Sequence, residues 1–207
     1  MIDNNVWILT HSGRRVSLYA PKSDDICTLD IAHHLGRIGR FTGAGDKYIS
    51  VAQHCIHVSM ICPPEYARWA LLHDASEAYL TDVNSPLKKL LRGIDDLPPE
   101  VCAVLDGALD TRTLEVMREL LPGYRKLQRR FDAVISSHYG VPIADVKHWD
   151  TASTLAERRD NGPHGCDDAS WVEGCCAQVA PHSDRVVPVS PEMATWAWIW
   201  RAQELGL

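Results

Sequence analysis

Leu71-Leu72-His73-Asp74-Ala75-Ser76-Glu77-Ala78-Tyr79-Leu80-Thr81-Asp82 combines an apolar pattern with a His-Asp pair and two further carboxylates. The wider segment from Tyr66 to Leu80 clusters Ala67, Ala70, Leu71, Ala75 and Ala78 on one side, which predicts a helix. Glu77 follows His73 by four residues and Asp74 by three, so all three project to one side of that helix. Ionisable groups on an apolar helix side are costly unless they are paired or bind a metal. One imidazole with carboxylates is an ordinary ligand set for Zn, Mn, Co or Fe.

Upstream, Ser50 to Ile61 carries Val51, Cys55, Val58 and Ile61 at helical spacing and offers His54 and His57. His54 lies among Val51, Cys55 and Val58, so its ring is expected to point inward. Downstream, a helix over Asp145 to Asp160 offers Asp150 as a further ligand. Asp132 is the rival for that place, and its neighbours Arg129 and Arg130 suggest an exposed helix side. The spacing predicts other helices over Asp30–Arg37, Leu87–Arg92, from Glu100, over Leu114–Leu121, and over Tyr124–Tyr139 ending at Gly140. Val6–Thr10 and Val16–Tyr19 flank a Ser12-Gly13 turn and read as a hairpin. Residues 162–188 are irregular, with strands possible near Trp171 and Val186. Ser190-Pro191 opens a last helix in which Trp196, Ile199, Trp200 and Gln203 share a side. Its tryptophans are expected mostly to pack, with part of their surface left for a subunit interface. The fold class is mostly α with a small N-terminal β-hairpin, in one domain over residues 1–207.

Composition narrows the function classes. The 207 residues are 45% hydrophobic and 23% charged, which excludes fibrous and wholly disordered chains. No apolar run approaches the roughly 18 residues of a membrane span, and Met1–Tyr19 carries no signal-peptide pattern, so a cytoplasmic protein is expected. A net charge of -6 disfavours a nucleic-acid polymer as partner. Seven cysteines without regular spacing fit a reduced setting. His164, Cys166, Cys175, Cys176 and His182 offer metal-ligand atoms, but their spacing matches no standard zinc pattern.

The stretches YISVAQH (48–54), LLHDASEAYLTDVNSPLK (71–88) and VKHWDTASTLAERRD (146–160) resemble successive blocks of the HD-domain metal-dependent phosphohydrolases. The likeness is to their 5'-deoxynucleotidase (YfbR)-like branch, and most to phage dATP phosphohydrolases of the DatZ type. WILTHSGRRVSLYAP (7–21) and DIAHHLGRIGRFTG (30–43) are similar to the N-terminal part of small members. The likeness runs in order over about residues 6–160, with a gap near 93–122 that reads as an insertion; 162–207 reads as a C-terminal extension.

The resemblance implies an HD-domain helical bundle with His54, His73, Asp74 and Asp150 as metal ligands. It implies that Glu77 orients the attacking water and that Asp82 handles protons. Arg40, with Arg37 as the alternative, and Lys88 would contact phosphate, Phe41 the base or sugar, and Pro86 belongs to the same substrate-facing block. The implied cofactor is a divalent transition metal (Zn, Co or Mn), with Mg as a second ion. The implied reaction takes dATP, or purine deoxynucleotides more broadly, to deoxynucleoside and phosphate. A dNMP-specific 5'-deoxynucleotidase of broad base preference is the alternative. A homo-oligomer, dimer or hexamer, is implied, in the host cytoplasm if the chain is phage-encoded. Gly43 departs from the bulkier residue of dATP-specific members, which weakens any expected exclusion of guanine. His57 could support His54 from the next turn.

Overall fold

A computed structural model describes residues 6–120, 122–162 and 179–207. Strand β1 (Trp7–Leu9) pairs antiparallel with β2 (Arg15–Ser17), with Ile8 opposite Val16. Val16 is fully buried and fixes the hairpin's inner face. The hairpin is fastened to helix α1 (Thr28–Arg37) by Asp30, whose carboxylate accepts the Ser12 amide and hydroxyl, each at 2.7 Å. Burial alone would raise the Asp30 pKa, but these donors outweigh it and the pKa is lowered. Asp30→Ala should therefore cost about 3 kcal/mol in chemical denaturation near neutrality, the scale of hydrogen bonds to a charged group. The carboxylate's contribution is present above the ordinary Asp range and is lost as pH falls through the lowered value.

Helices α1, α2 (Val51–Ile61), α3 (Ala67–Leu72) and α10 (Pro191–Glu204) form the main core. Ser50 caps α2 by accepting the Gln53 amide at 3.1 Å, and Ser190 caps α10 by accepting that of Met193 at 3.2 Å. The crossing of α1 and α10 is so close that a β-carbon at Gly36 would overlap the Thr195 hydroxyl. On α10, Ala194, Trp198 and Ala202 are in the core, whereas Trp196 and Trp200 are 69% and 68% exposed. The predicted Trp196–Trp200 side is thus the outer side. Packing falls to Trp198, because Gly36 brings that side of α10 against α1.

Elsewhere, α5 (Ser85–Leu90) starts on an Asn84 cap, and α8 (Gly123–Tyr139) ends at Gly140 in the left-handed conformation (φ 60°). Residues 93–122 contain α6 (Pro99–Ala108) and α7 (Thr111–Leu120). At their root Gly123 lies on the backbone of Gly93, where a β-carbon would not fit. Helix α9 (Lys147–Asn161) follows α8. Two expectations need correction. No strand forms at Val186; its side chain packs with Ile49 and Ala156 instead. The helix predicted over Tyr66–Leu80 is not continuous. The hydrogen bonds shorten to three-residue spacing (Ala75 to Leu72, Glu77 to Asp74, Ala78 to Ala75) before α4 (Glu77–Leu80). The site in question occupies this tightened turn. Among the described residues no helix is long and apolar enough to cross a membrane.

Candidate metal centre

His54 stands on α2, fully buried, and faces the 73–76 turn. Its Nδ1 donates to Glu157 Oε1 at 2.7 Å. His73 Nδ1 donates to the Ala70 carbonyl at 2.8 Å. A carbonyl only accepts, so His73 carries its hydrogen on Nδ1; the carboxylate settles His54 the same way. Both Nε2 atoms are therefore bare in the neutral rings. Both are buried, and neither has a hydrogen-bond partner among the described residues.

Carboxylates converge on those two atoms. Asp74 Oδ2 lies 3.3 Å from His73 Nε2 and 3.8 Å from His54 Nε2, and Asp150 Oδ1 lies 3.2 Å from His54 Nε2. One ligand atom each from His54, His73 and Asp74 lies within 4.8 Å of the other two. For bonds of about 2.1 Å, tetrahedral ligands stand about 3.4 Å apart, so these residues fit a transition metal. Asp150 reaches the group through His54, with its other oxygen on Lys147 Nζ at 2.9 Å. Burial opposes charge on His54, His73 and Asp74. The opposite charges prevail, so both imidazole pKa values are raised and that of Asp74 is held far below the ordinary range.

Glu157 on α9 is the residue that sequence reasoning missed as functional. It is fully buried, accepts His54 Nδ1, and takes Arg40 Nε on Oε2 at 3.1 Å. His54 and Arg40 overcome its burial and hold its pKa down to about 2. The signal was present: Glu157 follows Asp150 by two helical turns, on the same side. Arg40 also donates to Thr154 Oγ1 at 2.8 Å, so two of its donors are committed to α9. Phe41 lies beside it, the guanidinium 5.7 Å from the ring centre. Phe41 and Thr42 both have left-handed backbones (φ 57° and 52°), a strain of about 1–3 kcal/mol each where a loop meets a site.

Glu77 opens α4 and accepts Lys88 Nζ at 3.2 Å on Oε1, while Oε2 is buried without a partner among the described residues. Burial, then Asp74 and Asp82, push its pKa well up against the pull of Lys88 and Arg40. Asp82 is raised by burial as well, with Arg40 opposing. It follows Thr81, another strained residue (φ 64°), whose carbonyl is held by the Tyr124 hydroxyl at 2.6 Å.

Over 203 residues the chain is 32% identical to YfdR of Escherichia coli K12, described as uncharacterized, covering 97% of this chain and 96% of that protein. The chain belongs to the YfdR family. An uncharacterized protein of Rhodobacter capsulatus is 37% identical over 109 residues, 48% of this chain and 56% of its own. No protein-family model matches the chain. The YfdR match is long enough to take in every element that carries the centre.

Not every expected residue is gathered in this YfdR-family chain. Arg37 turns to α10, pairing with Glu192 at 3.2 Å. With His11, His33, His34, Glu77 and Thr81 it lines a cleft of about 480 Å³ on the Glu77 side. Pro86 is exposed in the first turn of α5 and serves that helix start. Asp132 is not on an exposed side: it is half-buried, with Oδ1 buried and without a partner among the described residues. Burial pushes its carboxyl up to about 6, because α8 turns it away from solvent. The folded chain then binds more protons than the unfolded one between about pH 4 and 6, so stability falls as pH rises through that window. Asp132→Asn should stabilise the protein at pH 7.5 by up to about 3 kcal/mol, with no gain below pH 4. Urea denaturation at both pH values reads this. The cysteine and histidine set of 164–176 lies outside the described residues.

Proposed function

We propose that this chain is a metal-dependent phosphohydrolase of deoxynucleotides with an HD-type centre. The observation that carries the reading is the pair of bare Nε2 atoms of His54 and His73, aimed at Asp74 beside a buried Glu77. A divalent ion, when bound, supplies Lewis acidity toward a phosphoryl oxygen and lowers the pKa of a water. His54, His73, Asp74 and Asp150 would hold it. Glu77 accepts the proton of the attacking water through Oε2, and Lys88 balances the resulting charge. Asp82, whose charge acts on Glu77, would return a proton to the leaving alkoxide. The cleft on the Glu77 side is within the range of small-molecule sites and offers imidazoles and Arg37 to the nucleoside.

The leading substrates are dATP and related purine deoxynucleotides. One observation favours the narrower alternative, a dNMP 5'-deoxynucleotidase: Arg40 spends two donors on Glu157 and Thr154, leaving less cationic capacity for a triphosphate. The test is product analysis over dNTPs, dNMPs and NTPs with Co, Mn, Mg and Zn in turn. Deoxynucleoside mainly from dATP supports the first reading, and equal rates on all dNMPs with dNTPs untouched support the second. No turnover with any metal refutes both.

A further inference from the structure

A second set of metal-ligating side chains assembles beside the first. His57 lies three residues after His54 on α2, and His182 and Asp184 lie on the stretch 179–189 leading into α10. One ligand atom from each lies within 4.8 Å of the other two. The two rings meet edge to face, their centres 5.6 Å apart.

The hydrogen bonds around His57 determine which of its atoms is free. Glu157 is a carboxylate and only accepts, so Ser153 Oγ donates to it at 3.1 Å. The Ser153 oxygen then accepts from His57 Nδ1 at 2.8 Å. The hydrogen of neutral His57 is thus on Nδ1, and Nε2 presents a lone pair. That Nε2 is buried and has no partner among the described residues. An unsatisfied buried imidazole nitrogen needs an occupant, and a ring nitrogen oriented through its opposite N–H is how proteins prepare a metal-binding histidine.

The stretch bearing His182 and Asp184 is positioned largely by bonds that leave their side chains available. Arg159 donates to the carbonyls of His182 and Asp184 at 2.8 and 2.9 Å, and the His182 amide donates to Ala152 at 3.1 Å. Gln53 Nε2 donates to the Val187 carbonyl at 2.6 Å. His182 Nδ1 stands 3.7 Å from Asp184 Oδ2 and accepts the Asp184 amide at 3.3 Å.

We propose that His57, His182 and Asp184 bind a second transition-metal ion of the zinc class, which fastens the 179–189 stretch to α2. Two imidazoles and one carboxylate form a three-ligand zinc set, with water in the remaining position, and disfavour Mg and Ca. The site does not depend on the phosphohydrolase reading.

The test titrates zinc chloride into chelator-treated full-length protein and reads bound metal by mass spectrometry. Wild type should bind two equivalents, Asp74→Ala one, and Asp74→Ala combined with Asp184→Asn none. Asp184 is on the surface, so Asp184→Asn should fold, and alone it should bind one equivalent. His57→Gln, which can still bond Ser153, should also bind one. Wild-type zinc content in Asp184→Asn or His57→Gln overturns the proposal, even if His182→Ala loses metal. One equivalent in both wild type and Asp74→Ala, lost in Asp184→Asn, would uphold this site and refute the first centre.

Discussion

Asp74→Ala is expected to lose the metal of the His54–His73 centre and with it the proposed phosphohydrolase turnover. Asp74 is the carboxylate that addresses both imidazoles, 3.3 Å from His73 Nε2 and 3.8 Å from His54 Nε2. Its low pKa, set by His73 and His54 against burial, means it is ionised at any working pH. Without it the buried group keeps two neutral nitrogen donors and loses the charge that balances a dication. Lewis-acid assistance contributes several kcal/mol to phosphoryl transfer, so turnover should fall at least about 10³-fold. Metal content and turnover measured on one preparation check this, and a variant with turnover above a tenth of wild type would place the centre elsewhere. The wild-type centre should also release metal on acidification. Asp74 raises the His73 pKa, so protons compete for Nε2 from a higher pH than at an ordinary histidine.

The legible parts of this molecule were those set by local pattern. The hairpin, the α10 cap at Ser190 and the stop at Gly140 follow from side chains within a few residues of the feature. His54, His73 and Asp74 were legible because an apolar helical environment makes ionisable residues conspicuous. What escaped was pairing over long chain separations. Glu157 binds both His54 and Arg40 from 103 and 117 residues away; its two-turn spacing from Asp150 marks a shared side of α9 but not the partners it meets there. Asp132 read as exposed because two arginines precede it, yet α8 presents it inward. On α10 the spacing correctly grouped Trp196 with Trp200 but could not tell inside from outside. The close approach at Gly36 settles that. The broken ladder between α3 and α4 was hidden for another reason. Ala, Leu and Glu all favour helix, so nothing in the local composition marks the tightened turn that carries His73 and Asp74.

Glu77→Gln separates chemistry from metal holding. The amide keeps the size of the carboxyl and an oxygen for Lys88 Nζ, so fold and metal content should match wild type. It cannot take a proton from water, and losing a positioned base costs about 10²–10⁴-fold in kcat. The pH profile gives the more specific readout. Burial and the charges of Asp74 and Asp82 raise the Glu77 pKa well above that of a free glutamate, while Lys88 lowers it. As a base it acts deprotonated, so wild-type rate should climb as pH passes through that raised value. Lys88→Ala removes the lowering charge, so the limb should move to still higher pH. In Glu77→Gln the limb should vanish. An unchanged limb in Glu77→Gln, with kcat near wild type, would transfer the base role to Asp82. That carboxyl is raised too, but Arg40 rather than Lys88 is its chief restraint, so the Lys88→Ala shift would then be small.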